Sequence, residues 1–199
     1  MLRLASGGRL LARLLLFYVL LMAPWPGLQH GYAALTRAAG NLAVAALGAS
    51  DSVTFRRLDD NRGILDTEIL LENRRTNAIR QVPHSTRYAG YLATAFLAAL
   101  VLATPMSWPH RCWALASGLL LLHACIALKL GCTLLLLGSD PSLSIFAFGS
   151  QWKSVLTFAV SVLALPPWFL APIFLWILVS LRRDNWIKVL GDRAPGVTP

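Results

Sequence analysis

The chain has 199 residues, a mean hydropathy of +0.60, 56% hydrophobic residues and only 14% charged ones. A soluble globular domain usually carries about 25% charged residues, so a chain solvated by water alone is excluded and lipid is the expected solvent. The formal net charge of +9 does not mark a nucleic-acid binder, because the basic residues flank apolar runs, as headgroups and membrane topology require.

Arg3, Arg9 and Arg13 open the chain, with a cytoplasmic terminus expected over 1–9 and a first transmembrane span over 10–28. A secretory signal begins in the same way, and small residues near 31–34 would suit cleavage. Pro24, Trp25 and Pro26 instead resemble an interfacial helix end, which favours a retained anchor.

An extracytoplasmic domain is expected over 29–86. Its first part, 32–49, spaces Leu35, Ala39, Leu42, Ala46 and Leu47 as one side of an amphipathic helix lying on the membrane surface. The next part holds Asp51, Asp59, Asp60, Asp66, Glu68 and Glu72, most of the acidic residues. Two β-prone runs, SVTFRRL and ILDTEILL, flank the turn-forming Asp59–Gly63, which predicts a β-hairpin over 51–72. Asp66 and Glu68 would share one strand face, with the neighbouring arginines as ion-pair partners.

Spans two to four are expected over 87–105, 113–137 and 154–181, joined by a cytoplasmic loop over 106–112 and an outer loop over 138–153. Pro166, Pro167 and Pro172 should kink the last span. A basic tail over 182–199 follows. Four spans put Arg9, Arg111 and Arg182 on one side, which agrees with both termini lying in the cytoplasm. The fold class is therefore an all-α polytopic membrane protein with a small β-rich extracytoplasmic insertion, in a bacterial cytoplasmic membrane.

Chemistry-bearing residues are sparse. Cys112, Cys125 and Cys132 all lie in or beside the third span and have neither a disulfide pattern nor zinc-ligand spacing. Within that span, His123, Cys125, Lys129 and Cys132 form a candidate polar cluster. Lys129 lies between two cysteines at helical spacing, where an ammonium would lower a thiol pKa. The bland alternative is a snorkelling lysine among packed small side chains. His123 stands without a second intramembrane histidine or carboxylate, so an interhelical hydrogen bond suits it better than a proton relay. His84, Arg87 and Tyr88, at the membrane edge, form a candidate mouth for a polar partner. No metal and no cofactor is implied. The expected partners are the lipid bilayer and another membrane protein, with no nucleic acid.

The stretch RYAGYLATAFLAALVLATPMSWPHRCWALASGLLLLHACIALKL, residues 87–130, resembles the corresponding region of the exosortase/archaeosortase membrane proteins. In those, an outer β-rich segment leads into a helix, a Pro-containing turn, a basic residue and a Gly-bearing helix. The resemblance implies a Cys, an Arg and a His that process carboxy-terminal sorting signals. This chain departs from that set. Residues 73–88 contain no cysteine, no Asn–x–x–Arg follows, and His123 is the last histidine. What the resemblance implies is a non-catalytic relative or companion: a non-enzymatic accessory membrane protein of bacterial envelope protein sorting or export, with an exosortase as candidate partner. Two alternatives stand beside it. One is a membrane-embedded exosortase-like peptidase or transpeptidase with an altered active site. The other is a transporter or channel subunit, to which the few ionisable residues in the spans offer little.

Overall fold

The computed structural model describes residues 2–49, 51–58, 64–164 and 170–180. The elements in chain order are α1 (Leu2–Met22), α2 (Trp25–Ala46), β1 (Val53–Arg57), β2 (Thr67–Asn73), β3 (Ala78–His84), a π-helical turn (Arg87–Tyr91), α3 (Leu92–Ala103), α4 (Trp108–Gly138), α5 (Ser150–Ala164) and α6 (Leu170–Ser180). Their described residues fall into two compact units, one within 24–92 and 124–168 and one within 1–23, 93–123 and 170–180.

The first unit is built on a three-stranded antiparallel sheet in the order β1-β2-β3. Val53 stands opposite Leu71 and Phe55 opposite Ile69, so the alternating apolar residues of β1 and β2 share a face. Val44 of α2, Leu134 of α4 and Leu143 close over that face. Gly40 lets α2 approach β1, because a Cβ there would stand 2.9 Å from the Phe55 ring. Asn41 then clamps the strand edge: its Nδ2 donates to the Phe55 carbonyl at 3.0 Å, and its Oδ1 accepts the Phe55 N–H at 2.8 Å. The edge groups that would otherwise invite another strand are thereby used within the chain.

β3 lies beyond the expected hairpin. Its link from β2 is Arg74–Asn77, with Asn77 at φ 52 and the Asn73 carbonyl accepting the Thr76 N–H. Pro83 sits on this edge strand, the position in a sheet where a missing N–H is tolerated. Asn73 ties the turn to the loop after α4, donating to the Leu143 carbonyl at 2.6 Å. Arg80 pairs with Asp140 at 3.1 Å. The backbone N–H and the hydroxyl of Ser142, more than Arg80, hold the Asp140 carboxyl below the usual carboxylate range.

In the second unit, Tyr18 of α1 meets Phe96 of α3 edge-on at 5.9 Å. Gly118 of α4 admits Leu97 of α3 and Val179 of α6, at 3.3 and 3.7 Å from where its Cβ would be. Thr104 terminates α3. Its hydroxyl accepts from Trp176 Nε1 at 2.8 Å, and its carbonyl accepts from Arg111 at 3.2 Å while the Arg111 guanidinium lies over the Trp108 ring.

Several boundaries differ from those read in the sequence. The helix expected over 10–28 ends at Met22, because α2 starts at Trp25 with Pro26 in its first turn, where a missing N–H costs nothing. The helix expected over 32–49 is the later part of α2. The loop expected over 106–112 shrinks, since α4 begins at Trp108 with Pro109 in its own first turn. Within the span expected over 154–181, the described residues form α5 and α6, of 15 and 11 residues, and 165–169 lie outside the described residues. Asp59–Gly63, the Pro166–Pro167 pair and the basic tail lie outside the described residues, while Pro172 sits in the first turn of α6 without interrupting it.

By length and composition α4 is the one described helix apolar and long enough to cross a membrane. Residues 8–22 and 25–46 meet the same test only as a broken pair, and 87–103 and 170–180 are apolar but shorter.

Candidate functional site

The polar side chains of the sheet unit gather at the end of the sheet marked by Thr67 and His84. These two residues are paired in register, so their side chains point to the same face. Arg37 of α2 reaches that end, donating through Nη1 to the Asp66 carbonyl at 3.2 Å and to the Thr67 hydroxyl at 3.4 Å. Asp66 turns its carboxylate away from the arginine. Its two oxygens accept the Thr86 N–H at 3.2 Å and the Thr86 hydroxyl at 2.6 Å, so a carboxylate sits at the first turn of the helix leading into α3. The Lys129 ammonium of α4 acts on His84 electrostatically.

Burial pushes the His84 imidazole below its ordinary value of 6.5. The Asp66 carboxylate opposes that shift and the Lys129 ammonium adds to it. The folded chain therefore binds this proton less readily than the unfolded chain. The His84 contribution to stability is therefore fully present above about pH 6.5 and is lost as the pH falls from 6.5 through the depressed value. Denaturation midpoints of the full-length protein and of His84→Gln, compared at about pH 7.5 and about pH 5.5, should show a smaller acid loss in the variant. Equal losses would rule out this role for His84.

A second cluster adjoins the start of α2. Trp25 packs on Tyr91 at 4.4 Å and meets Tyr32 at 6.1 Å, and Arg87 lies over the Trp25 ring at 5.8 Å. The Arg87 Nε is buried without a hydrogen-bond partner. Gly90 is required here, because a Cβ would stand 2.5 Å from the Tyr32 hydroxyl. An apolar groove of about 280 Å³ runs alongside, lined by Gly27, Leu28, Gly31, Tyr32, Leu35 and Tyr91.

The candidates read from the sequence are thus redistributed. Of the proposed mouth, Arg87 is held on an aromatic ring, Tyr88 is exposed and His84 belongs to the sheet end. Of the proposed helix cluster, Cys125, Lys129 and Cys132 do share one stripe of α4, all half-buried. His123 does not join them. At 100° per residue it points to the opposite side of the helix, is exposed, and donates its Nδ1 hydrogen to the Leu119 carbonyl at 2.8 Å. Glu68 stands opposite Arg56 in register, while the Asp66 carboxylate, expected to pair with an arginine, bonds Thr86 instead. Sequence reasoning missed Arg37, Thr86 and Asn41. The one available signal was their polarity: Arg37 and Asn41 interrupt an otherwise small and apolar helix.

Among the described residues no group of three or more His, Cys, Asp or Glu is placed to hold a metal ion. No protein-family model, curated protein or solved structure matches the chain.

Proposed function

We propose that this chain is a non-enzymatic accessory protein of a bacterial cytoplasmic membrane, crossing it about four times with both termini inside and residues 29–86 outside, and serving envelope protein sorting or export beside an exosortase-type partner. The observation that carries the membrane part is the exposure of apolar surface. Only 11% of the most apolar window of α4 is buried, and such a surface in water would aggregate. The outward face of α2 agrees. Arg37 and Asn41 bond to the sheet, whereas Leu28, Leu35 and Leu42, exposed by 50, 67 and 73%, form an apolar outward stripe.

The accessory part is supported by the resemblance over residues 87–130 together with the way the polar groups are used. Asp66 is directed at Thr86, Arg87 at Trp25, and His123 at its own helix. A nucleophile needs a base within hydrogen-bond reach and a third group to orient it. Cys125 and Cys132 are half-buried thiols on a helix stripe whose basic member is Lys129, which is the arrangement the alternative enzymatic reading would use.

Removal of the gene from its host is expected to leave surface proteins with carboxy-terminal sorting signals unprocessed. A chain carrying Cys112→Ser, Cys125→Ser and Cys132→Ser should restore processing. Failure of the thiol-free chain, when present at wild-type levels in the membrane, would move the assignment to the enzymatic reading. Normal processing without the gene would end both.

A further inference from the structure

We propose that the free edge of β3 pairs with the β3 edge of a second copy of this chain, joining two sheets across a two-fold axis. The phase of the backbone hydrogen bonding identifies that edge. Glu72, opposite Ser52 in the continued β1–β2 register, donates its N–H to the Ser52 carbonyl, and Phe55 turns both backbone groups away from β2 toward Asn41. Backbone groups of successive strand residues alternate between the two sides. Leu70 and Glu72 therefore bond β1, whereas Ile69 and Leu71 bond Val82 and Arg80 of β3. The outer edge of β3 then carries the N–H groups of Ile79 and Gln81 and the carbonyls of Ile79, Gln81 and Pro83, which have no partner among the described residues.

The two edges of the sheet differ. Asn41 fills the β1 edge, while β3 keeps an unbulged register, holds no lysine, and is exposed at Gln81, Pro83 and, by 61%, Ile79. A row of unpaired N–H and C=O groups is completed by another strand, and β3 is complementary to itself. Antiparallel pairing about Gln81 sets that residue opposite its own copy, Ile79 opposite the second copy's Pro83, and Arg80 opposite its Val82. Each Gln81 then bonds the other through both backbone groups, and each Ile79 N–H reaches a Pro83 carbonyl. The missing Pro83 N–H falls at the exposed end of the seam. The Gln81 amides meet as donor and acceptor, and each Arg80 brings its own counter-ion, Asp140, at 3.1 Å. Moving the axis to Arg80 would instead set two guanidinium groups face to face. Such a contact closes at two copies, because the joined sheet has β1 at both outer edges and Asn41 occupies each. The pairing needs neither a sorting partner nor a catalytic step, so its outcome is separate from that of the accessory reading.

The test uses the full-length chain in neutral detergent micelles, its mass followed by analytical ultracentrifugation over a range of protein-to-micelle ratios. The parent chain should sediment as a monomer–dimer equilibrium. Gln81→Pro removes the central N–H of both copies at an edge position that tolerates proline, and should raise the dimer dissociation constant by about tenfold. Should that variant not fold, Gln81→Lys keeps the backbone donor and sets two ammonium groups opposite each other, with the same loss expected. Register is read by mild oxidation in a chain carrying Cys112→Ser, Cys125→Ser and Cys132→Ser. Gln81→Cys should cross-link two copies, because directly opposed residues lie about 5.5 Å apart between Cα atoms, within disulfide reach. Ile79→Cys should not, because its copies stand roughly 13 Å apart along the strands. A parent chain that stays monomeric, including one that takes up an extended peptide on this edge instead, would overturn the proposal. Equal cross-linking at both positions, or an undiminished dimer in a folded Gln81→Lys chain, would do the same.

Discussion

Replacing Asn41 by alanine is expected to destabilise the sheet unit by about 2–4 kcal/mol, more than any exposed polar substitution in the chain. The side chain meets both backbone groups of Phe55, a residue that is itself buried in the unit's core. Truncation leaves an N–H and a C=O without their partners in a part-buried seam, at up to roughly 1–3 kcal/mol for each group. The variant also uncovers the outer edge of β1. Amide hydrogen exchange at Phe55, read beside a denaturant midpoint, should therefore report faster local opening as well as lower global stability. Asn41→Asp keeps the acceptor but loses the donor, and should fall between the two. The exposed Arg74–Asp51 pair, at 3.2 Å, supplies the internal comparison. Its loss should cost less than about 1 kcal/mol, because solvent screens it and two long side chains must be held still to make it. An Asn41→Ala chain as stable as the parent would mean that the α2–β1 seam does not hold the edge strand.

Leu120→Arg is expected to abolish stable membrane integration while leaving the interior packing untouched. Leu120 lies in the middle of α4 and is 73% exposed, so in water an arginine there would change stability by no more than about 0.5 kcal/mol. At the centre of a bilayer-spanning helix the same change costs roughly 2.5–3.5 kcal/mol on insertion scales, and the neighbouring leucines offer no partner for the charge. The two solvents thus give opposite results for one substitution. Retention in the alkaline-extracted membrane pellet, measured for the parent chain, Leu120→Arg and Leu120→Ala, separates them. Full retention of the arginine variant would argue that α4 is not surrounded by lipid, and the membrane reading would fall with it.

The elements differ in how far a local reading reaches them. The pairing of β1 with β2 follows from two β-prone runs whose alternating apolar residues must share a face. β3 was not legible in the same way. AIRQVPH buries little, contains a proline, and follows the turn Arg74–Asn77, which has no glycine and relies on Asn77 at φ 52. What makes it a strand is β2, whose central residues are buried on both faces and whose second edge needs a partner. The break between α1 and α2 was visible as Pro24–Trp25–Pro26 but was placed too late, because proline in a first turn starts a helix as readily as it stops one. His123, Cys125, Lys129 and Cys132 are close in sequence, and helical geometry alone sends His123 to the other side.

Composition and order of residues were sufficient to determine how much apolar surface this chain must hide, where its long apolar helix α4 lies, and which two strands begin its sheet. These follow from transfer free energies and side-chain periodicity, which act over neighbouring residues. Only the tertiary structure decided that Asn41 guards the strand edge, that Asp66 holds Thr86 rather than an arginine, and that Arg37 and His84 meet at one end of a sheet. Each of those contacts joins residues far apart in the chain. Their partners are chosen by the burial of backbone and charged groups that no local pattern can count.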